Sequence, residues 1–238
     1  LALGGNRISD ATRFVIPADQ VIVHSTGDDA LPDAWARMSW PIYNGRDLSR
    51  YDTWTSYLGF FIPQLNAGFI GVYDGAADQG IVRTLKPGWP VGNKIFGPGT
   101  LPPSLWTDDD STYVELWSGA TPTFADLYTI EPDQTVSWTE KWYPVHGLGG
   151  LTAASLDAAL HLNPVESGVE IGVGVTQQTQ GRVTLFANGE AAASWEIALT
   201  PDRIFRTTWA KAAGHSGPWR LQLVGQNGQT LAETDQIP

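Results

Sequence analysis

The sequence predicts an all-β protein built in two parts. Three observations predict it: apolar and polar residues alternate with a period of two, turn residues separate the alternating runs, and no long run has the 3.6-residue period of a helix. The 238 residues include 26 Gly and 16 Pro, which suits a chain with many turns. Hydrophobic residues make up 42% of the chain, enough for a packed core, and charged residues make up only 16%.

Residues 151–238 are predicted to form an immunoglobulin-like β-sandwich. Seven short alternating segments follow one another there, and turn signals such as Asn188-Gly189 and Asn227-Gly228 separate them. Asn-Gly pairs suit tight hairpins because a type I′ turn requires positive φ angles. About seven strands at this spacing are typical of such a sandwich. The glycine-rich segment His146–Ser155 has the composition of a linker, so we place a domain boundary at residue 150.

Residues 1–150 are also predicted to be rich in strands. The alternating or apolar runs cover residues 12–17, 20–25, 57–63, 67–74, 79–85, 112–119 and 135–145. Long loops are predicted at Asp28–Leu48 and Lys86–Pro103, and loops of this length in a compact domain are usually functional. Eight of the 11 Trp residues lie in this part, so ring surfaces suited to a ligand are concentrated there.

Charge and composition exclude several classes of function. The chain has 14 Lys and Arg against 25 Asp and Glu, a formal net charge of −11. Such a field repels phosphate backbones and anionic lipid surfaces, so we expect neither nucleic acid nor a membrane as a partner. The absence of cysteine excludes thiolate chemistry and Cys-based zinc sites. No cofactor or metal is expected, and the run Asp108–Asp110 is predicted to be a solvated turn.

Three segments of the first part resemble a known family. They are Met38–Phe61, which contains Trp-Pro-Ile-Tyr-Asn-Gly-Arg-Asp, then Gly68–Gly99, and Ser104–Val145, which contains Trp-Thr-Asp-Asp-Asp-Ser. Together they resemble a bacterial family of unknown function that has a galactose mutarotase-like fold and is often joined to tetratricopeptide repeats. The resemblance implies that residues 1–150 form part of a β-supersandwich, in which large twisted antiparallel sheets carry a sugar cleft.

The same resemblance bears on activity. Residues 1–150 resemble the later part of the supersandwich, so we expect the chain to be a piece of a longer protein and the other domains of that protein to be partners. The family's His-x-Tyr-x-Asn acid motif would precede Leu1, and His24 does not lie in such a motif. The prediction for this chain therefore leans against enzymatic activity.

Glu115 is the candidate catalytic residue, because residues 113–117 resemble the family strand that carries the catalytic base. Alternate residues of a strand share a face, so Tyr113, Glu115 and Trp117 would lie on one face. Val114 and Leu116 would lie on the opposite, apolar face. A carboxylate flanked by aromatic rings suits a sugar, which stacks its C–H groups and donates its hydroxyls. The alternative is an exposed strand with a solvated carboxylate.

Further candidate ligand-binding residues follow from the same segments. They are Trp40, Tyr43, Arg46, Asp47, Trp54 and Trp106. Arg46 and Asp47 either make directional contacts with a ligand or form a local salt bridge that holds the loop. The three indole rings either stack on a sugar or pack in the core.

These observations predict a carbohydrate-binding domain of unknown specific activity. Two alternatives stay open. One is an aldose-epimerase or glycosidase-type enzyme that uses Glu115 as its general base within a longer protein. Glycoside hydrolysis needs two carboxylates, and Asp47 is the second one that the resemblance places near the cleft. The other alternative is a structural or interaction module.

Overall fold

A computed structural model of the chain describes residues 8–86, 88–210 and 217–237. The prediction of an all-β protein is confirmed, since these residues form nineteen strands, two short 3-10 turns and no α-helix. The strands are β1 (Thr12–Val15), β2 (Gln20–Thr26), β3 (Arg37–Ser39), β4 (Ile42–Tyr43), β5 (Arg46–Asp47), β6 (Leu58–Ile62), β7 (Phe69–Asp74), β8 (Gln79–Leu85), β9 (Gly92–Gly97), β10 (Glu115–Gly119), β11 (Glu140–His146), β12 (Ala153–Ala154), β13 (Ala158–Val165), β14 (Gly168–Val175), β15 (Thr179–Ala187), β16 (Glu190–Leu199), β17 (Phe205–Ala210), β18 (Trp219–Gly225) and β19 (Thr230–Glu233). Within the described ranges no helix is long and apolar enough to cross a bilayer.

The chain divides into two compact units. Unit 1 comprises Leu1–Ile70 and Arg83–Lys141, and unit 2 comprises Gly71–Val82 and Trp142–Pro238. The divisions fall inside β7, β8 and β11, which belong to a four-stranded sheet of order β1-β7-β8-β11. The domain boundary at residue 150 stays a prediction.

Unit 2 contains a β-sandwich of two four-stranded sheets. The sheets have the orders β12-β13-β14-β17 and β16-β15-β18-β19, and each of the seven predicted segments overlaps one of the strands β13–β19. The period-two pattern explains the packing, because Val183 and Leu185 of β15 are buried, while Arg182 points to the opposite face of the strand and is exposed. Val183 and Leu185 share one core with Ile171 and Val173 of β14, so the apolar faces of the two sheets meet.

Unit 1 contains a five-stranded antiparallel sheet of order β10-β9-β6-β2-β3. One face of this sheet packs on an aromatic core. The ring of Phe60 lies 5.7 Å from that of Trp54 and 5.8 Å from that of Trp40, and Phe14 stacks on Trp54 at 4.8 Å. The indole N–H of Trp54 donates to the carbonyl of Leu48 at 2.9 Å, which satisfies its polar atom inside the core.

This core corrects the expectation that Trp40 and Trp54 contact a ligand. The exposed fraction is 6% for Trp40 and 0% for Trp54, so neither ring has a surface free for a sugar. The physical reason is that a large apolar ring gains more by complete burial than by partial exposure, provided that its N–H finds an acceptor.

Several strands lie where loops were predicted. β9 runs through the predicted loop Lys86–Pro103, and β3, β4 and β5 lie within Asp28–Leu48. β9 is buried on both faces, so it lacks the apolar and polar alternation that marks a half-buried strand. The β4–β5 hairpin turns at Asn44 and Gly45, whose φ angles are 48° and 78°. Conversely, residues 120–139 form no strand, and β11 begins only at Glu140.

Candidate functional site

The second face of the five-stranded sheet carries a row of aromatic and charged side chains. Phe61 on β6 lies directly opposite Lys94 on β9, and Lys94 lies opposite Trp117 on β10. Directly opposed residues of antiparallel strands point to the same face. A bulge in β2 adds His24 to this row, with its ring 4.8 Å from that of Phe61. The four side chains therefore cross four neighbouring strands.

A parallel row contains a gap at Gly59. Gly59 is paired with Ser25 on one side and with Phe96 on the other, and Phe96 is paired with Glu115. A Cβ atom at Gly59 would lie 2.9 Å from Ser25 Oγ and 3.2 Å from the Phe96 ring, so only glycine fits without a shift of its neighbours. Ser25 Oγ lies 3.1 Å from Nδ1 of His24. The gap at Gly59 is therefore bordered by the hydroxyl of Ser25, the imidazole of His24 and the ring of Phe96.

The aromatic surface continues beyond the two rows. Trp106 lies 5.6 Å from Phe96 and 5.9 Å from Tyr57 between ring centroids. Trp35 stacks on Phe61 at 5.8 Å with an interplanar angle of 17° and is 51% exposed. Its φ angle of 77° lies in the left-handed region that bulky residues rarely adopt. We name this surface the aromatic face; its rings are Trp35, Tyr57, Phe61, Phe96, Trp106, Trp117 and Phe124.

The loop after β10 places Phe124 across the first row. Its ring centroid lies 4.9 Å from that of Phe61, 5.0 Å from that of His24 and 5.9 Å from that of Trp117. The loop is held by Asp126, whose Oδ2 accepts hydrogen bonds from the backbone N–H and the hydroxyl of Thr123 at 2.9 and 2.8 Å. Phe124 stays 57% exposed, so it covers the row with one side of its ring.

Glu115 and Trp117 are brought together on this face. The indole N–H of Trp117 donates to Glu115 Oε2 at 2.5 Å. Burial raises the pKa of Tyr113, and the charge of Glu115 together with a hydrogen bond to its carboxylate raises it further. The carboxylate of Glu115 is therefore oriented by the indole of Trp117 and remains partly exposed.

Lys94 places an ammonium group among three rings of the aromatic face. Its Nζ lies 4.8 Å from the ring centroid of Trp117, 4.9 Å from that of Phe124 and 5.3 Å from that of Phe96. Burial lowers the pKa of Lys94, and the charge of Glu115 acts in the opposite direction. Burial also lowers the pKa of His24, and the positive charge of Lys94 lowers it further.

Two hollows border this arrangement. One of about 50 Å³ is lined by Phe61, Lys94, Trp117 and Phe124, among others. A larger, open one of about 440 Å³ is lined by His24, Ser25 and Tyr57 together with Asp28, Asp29 and Asp33. Polar groups and rings therefore meet at both ends of the aromatic face.

The remaining candidates from the sequence do not join this arrangement. Arg46 forms an ion pair with Asp28 at 2.5 Å and also donates to the backbone carbonyl of Thr53. Burial alone would raise the pKa of Asp28. Hydrogen bonds to its carboxylate, of which that from Arg46 has the largest effect, instead hold the pKa below its usual value. Asp47 accepts hydrogen bonds from the backbone and hydroxyl of Ser49. These contacts fit the alternative in which Arg46 and Asp47 hold their own loop.

Tyr43 lies opposite Arg46 in the β4–β5 hairpin. The acidic run at residues 108–110 forms an exposed turn in which Asp109 Oδ1 accepts from the backbone N–H of Ser111 at 3.1 Å. Across the described parts of the chain, no group of three or more His, Asp or Glu side chains is arranged to hold a metal ion.

Of the side chains on the aromatic face, sequence reasoning pointed to Glu115, Trp106 and Trp117 but not to Lys94, Phe124 or His24. A signal for Lys94 was present, because it is separated by one residue from Phe96 in a segment that lies between Pro90 and Pro98. Reading that segment as a strand would have put Lys94 and Phe96 on one face. Phe124 belongs to an irregular loop, and no periodic pattern predicts where its ring lies.

Comparisons with known proteins bear mainly on unit 2. Residues 153–233 match the family described as the second domain of YphG-like protein. This match covers about a third of the chain and coincides with the β-sandwich. No curated protein matches the sequence.

One solved structure is similar in part. It is a crystal structure of a TPR-domain containing protein from Parabacteroides distasonis ATCC 8503, with 17% sequence identity and a TM-score of 0.44. The similarity covers 58% of this chain and 22% of that one, so this chain spans only about a fifth of the other protein's length.

Proposed function

We propose that unit 1 binds carbohydrate on the aromatic face. One observation carries the proposal: the indole N–H of Trp117 orients the carboxylate of Glu115, the ammonium of Lys94 lies against the Trp117 ring, and exposed rings surround them. Trp106 and Trp117 are 38% and 44% exposed, so their rings are open to a ligand.

The chemistry of sugars explains why these groups suit them. A pyranose presents an apolar C–H surface that stacks on an indole ring, and its hydroxyls act as both donors and acceptors. Glu115 accepts hydrogen bonds and Lys94 donates them, so the two together match the two roles of a hydroxyl group. An aromatic wall with a few fixed polar groups is the usual composition of a small-molecule site.

The proposal extends to the fold and the partners. We propose that residues 1–150 belong to a mutarotase-like supersandwich and that further domains of a longer parent chain are its partners. The five-stranded antiparallel sheet with Glu115 at the start of its edge strand supports the first part. The match of the following residues to a family named as a second domain supports the second.

A second candidate function is sugar epimerisation in the longer protein, with Glu115 as general base. The observation in its favour is the imidazole of His24, a group that can carry a proton and that lies on the same face as Glu115. Polarimetry of freshly dissolved α-D-glucose and α-D-galactose tests this function. A rate above the uncatalysed one that Glu115→Gln abolishes would support it, and a rate that the substitution leaves unchanged would reject the base assignment.

Isothermal titration calorimetry with D-glucose and D-galactose tests binding. The matched variants are Trp117→Ala and Trp138→Ala, because Trp138 is 40% exposed and donates its indole N–H to Glu140 at 2.9 Å, as Trp117 does to Glu115. We expect Trp117→Ala to weaken binding about tenfold and Trp138→Ala to leave it unchanged. Equal loss in both variants, or no binding of either sugar to the unaltered protein, would contradict the proposal.

A further inference from the structure

Lys94 is the most buried charged side chain of the aromatic face. The residue is only 5% exposed, and its Nζ lies within 5.3 Å of the centroids of three rings. Three rings surround Nζ, and the nearest compensating charge is that of Glu115. Lys94 also lines the hollow beside Phe61, Trp117 and Phe124, so a ligand in that hollow can place an oxygen against the ammonium. An ammonium that rings have partly removed from water is stabilised by such an acceptor.

We propose that Lys94 determines the specificity of the aromatic face by donating a hydrogen bond to an uncharged oxygen, a hydroxyl or a ring oxygen, of the bound sugar. This inference rests on the proposed function. Lys94 was not among the residues that the sequence pointed to, and it adds a donor to a site whose other oriented polar group, Glu115, only accepts.

The charges around Lys94 favour a neutral oxygen over a carboxylate or phosphate. Glu115 already supplies one negative charge that acts on the ammonium, so the attraction of Lys94 for an anionic ligand would be opposed by repulsion from Glu115. Asp28, Asp29 and Asp33 line the hollow at the other end of the face. Unit 1 as a whole carries 15 acidic and 9 basic side chains, which disfavours the approach of an anion.

The variant Lys94→Met separates a role in binding from a role in folding. Methionine keeps the unbranched apolar stem among the three rings and removes the buried charge, so the variant should unfold at the same temperature or higher. A side chain that served only the fold would lower the melting temperature when changed. Lys141→Met is the matched control, because Lys141 also lies on a strand of unit 1 but is exposed.

The experiment measures affinities by calorimetry for D-glucose and D-galactose and for their carboxylate analogues, D-glucuronate and D-galacturonate. We expect the unaltered protein to bind the better neutral sugar at least about tenfold more tightly than its uronate. Lys94→Met should weaken binding of that neutral sugar by about tenfold to a hundredfold, the range for a charge-assisted hydrogen bond. Lys141→Met should bind as the unaltered protein does.

Each contrary result has a separate meaning. A uronate that binds more tightly than its neutral counterpart overturns the inference and leaves carbohydrate binding standing. An unchanged neutral-sugar affinity in Lys94→Met overturns the role of Lys94 and also leaves carbohydrate binding standing. If none of the four sugars binds, the proposed function itself fails and this inference fails with it.

Discussion

At the scale of single residues, buried polar side chains fix the groups that the aromatic face presents. Arg83 is fully buried beneath β10 and donates from Nη1 to the backbone carbonyl of Trp117 at 2.5 Å and from Nη2 to Asn93 Oδ1 at 2.6 Å. Burial lowers the pKa of Arg83, and the charge of Glu140 opposes this shift. The backbone of Trp117 is therefore anchored by a rigid, planar donor, which limits how far its indole ring can move.

We expect Arg83→Leu to lower the free energy of unfolding by about 2 to 4 kcal/mol, because two acceptors lose their donor. Urea denaturation measures this change. Arg37→Leu is the control, since Arg37 lies exposed on β3 and its substitution should change stability by less than about 0.5 kcal/mol. Similar losses in the two variants would show that the buried contacts of Arg83 add nothing.

At the scale of elements, the pairing of β9 with β10 connects the sheet to the loop that carries Phe124. Gly92 lies opposite Gly119 in this pair. A Cβ atom at Gly92 would approach the backbone oxygen of Thr121 to 2.0 Å and that of Gly119 to 2.9 Å, whereas a Cβ atom at Gly119 would meet nothing within 4 Å. The two paired glycines therefore differ sharply in the space around them.

This difference predicts opposite outcomes for the same substitution. Gly92→Ala should displace the loop at Thr121 and lower the free energy of unfolding by about 1 to 3 kcal/mol, the range for overpacking. Gly119→Ala should leave stability unchanged or slightly higher, because alanine restricts the unfolded chain. Thermal unfolding of both variants by circular dichroism checks the prediction, and equal melting temperatures would contradict it.

The element scale also shows what the sequence could predict. In unit 2 every predicted segment overlaps a strand, and β15 shows the alternation of buried and less buried residues most regularly. In unit 1 the period-two rule correctly put Glu115 and Trp117 on one face. It did not reveal β9, whose two faces are both buried, nor the ring of Phe124, which a loop positions. Packing between residues far apart in the sequence determines these features, so the local alternation of apolar and polar residues does not predict them.

Single-residue chemistry was likewise ambiguous for the tryptophans. Trp40, Trp54, Trp106 and Trp117 have the same side chain, yet the first two are buried and the last two are exposed. They differ in the face of the sheet on which they lie. The buried pair packs against Phe60, and the exposed pair lies against Phe96 and Phe124 on the other face. The sequence names the amphipathic residue but does not state which face of the sheet receives it.

At the scale of the whole molecule, one partly buried and one buried histidine make stability depend on pH in both units. Burial lowers the pKa of His24 in unit 1 and, as the largest of several effects, that of His161 in unit 2. Glu170 and Asp78 act to raise the pKa of His161, and Arg206 acts to lower it. As pH falls below about 6.5, these histidines take up protons more readily in the unfolded chain than in the folded chain. The free energy of unfolding therefore decreases.

The molecule should therefore melt at a lower temperature at pH 5.5 than at pH 7.5. His161→Leu should reduce this difference, because it removes one group that takes up a proton on unfolding while leaving a residue of similar size on β13. The ordinary pKa values of Asp and Glu lie below pH 5.5, so these residues contribute little to the change in melting temperature between the two pH values. Differential scanning calorimetry at the two pH values measures the effect, and an undiminished difference in the variant would exclude His161 as a source.

The central claim is that a sugar contacts the aromatic face at Trp117. A two-dimensional ¹H–¹⁵N NMR titration with D-glucose or D-galactose tests it directly, because each exposed indole N–H gives its own signal. We expect saturable shifts of the Trp117 and Trp106 indole signals, with that of Trp138 unmoved. Signals of Trp117 and Trp106 that stay in place while either sugar is added, or shifts confined to Trp138, would contradict it.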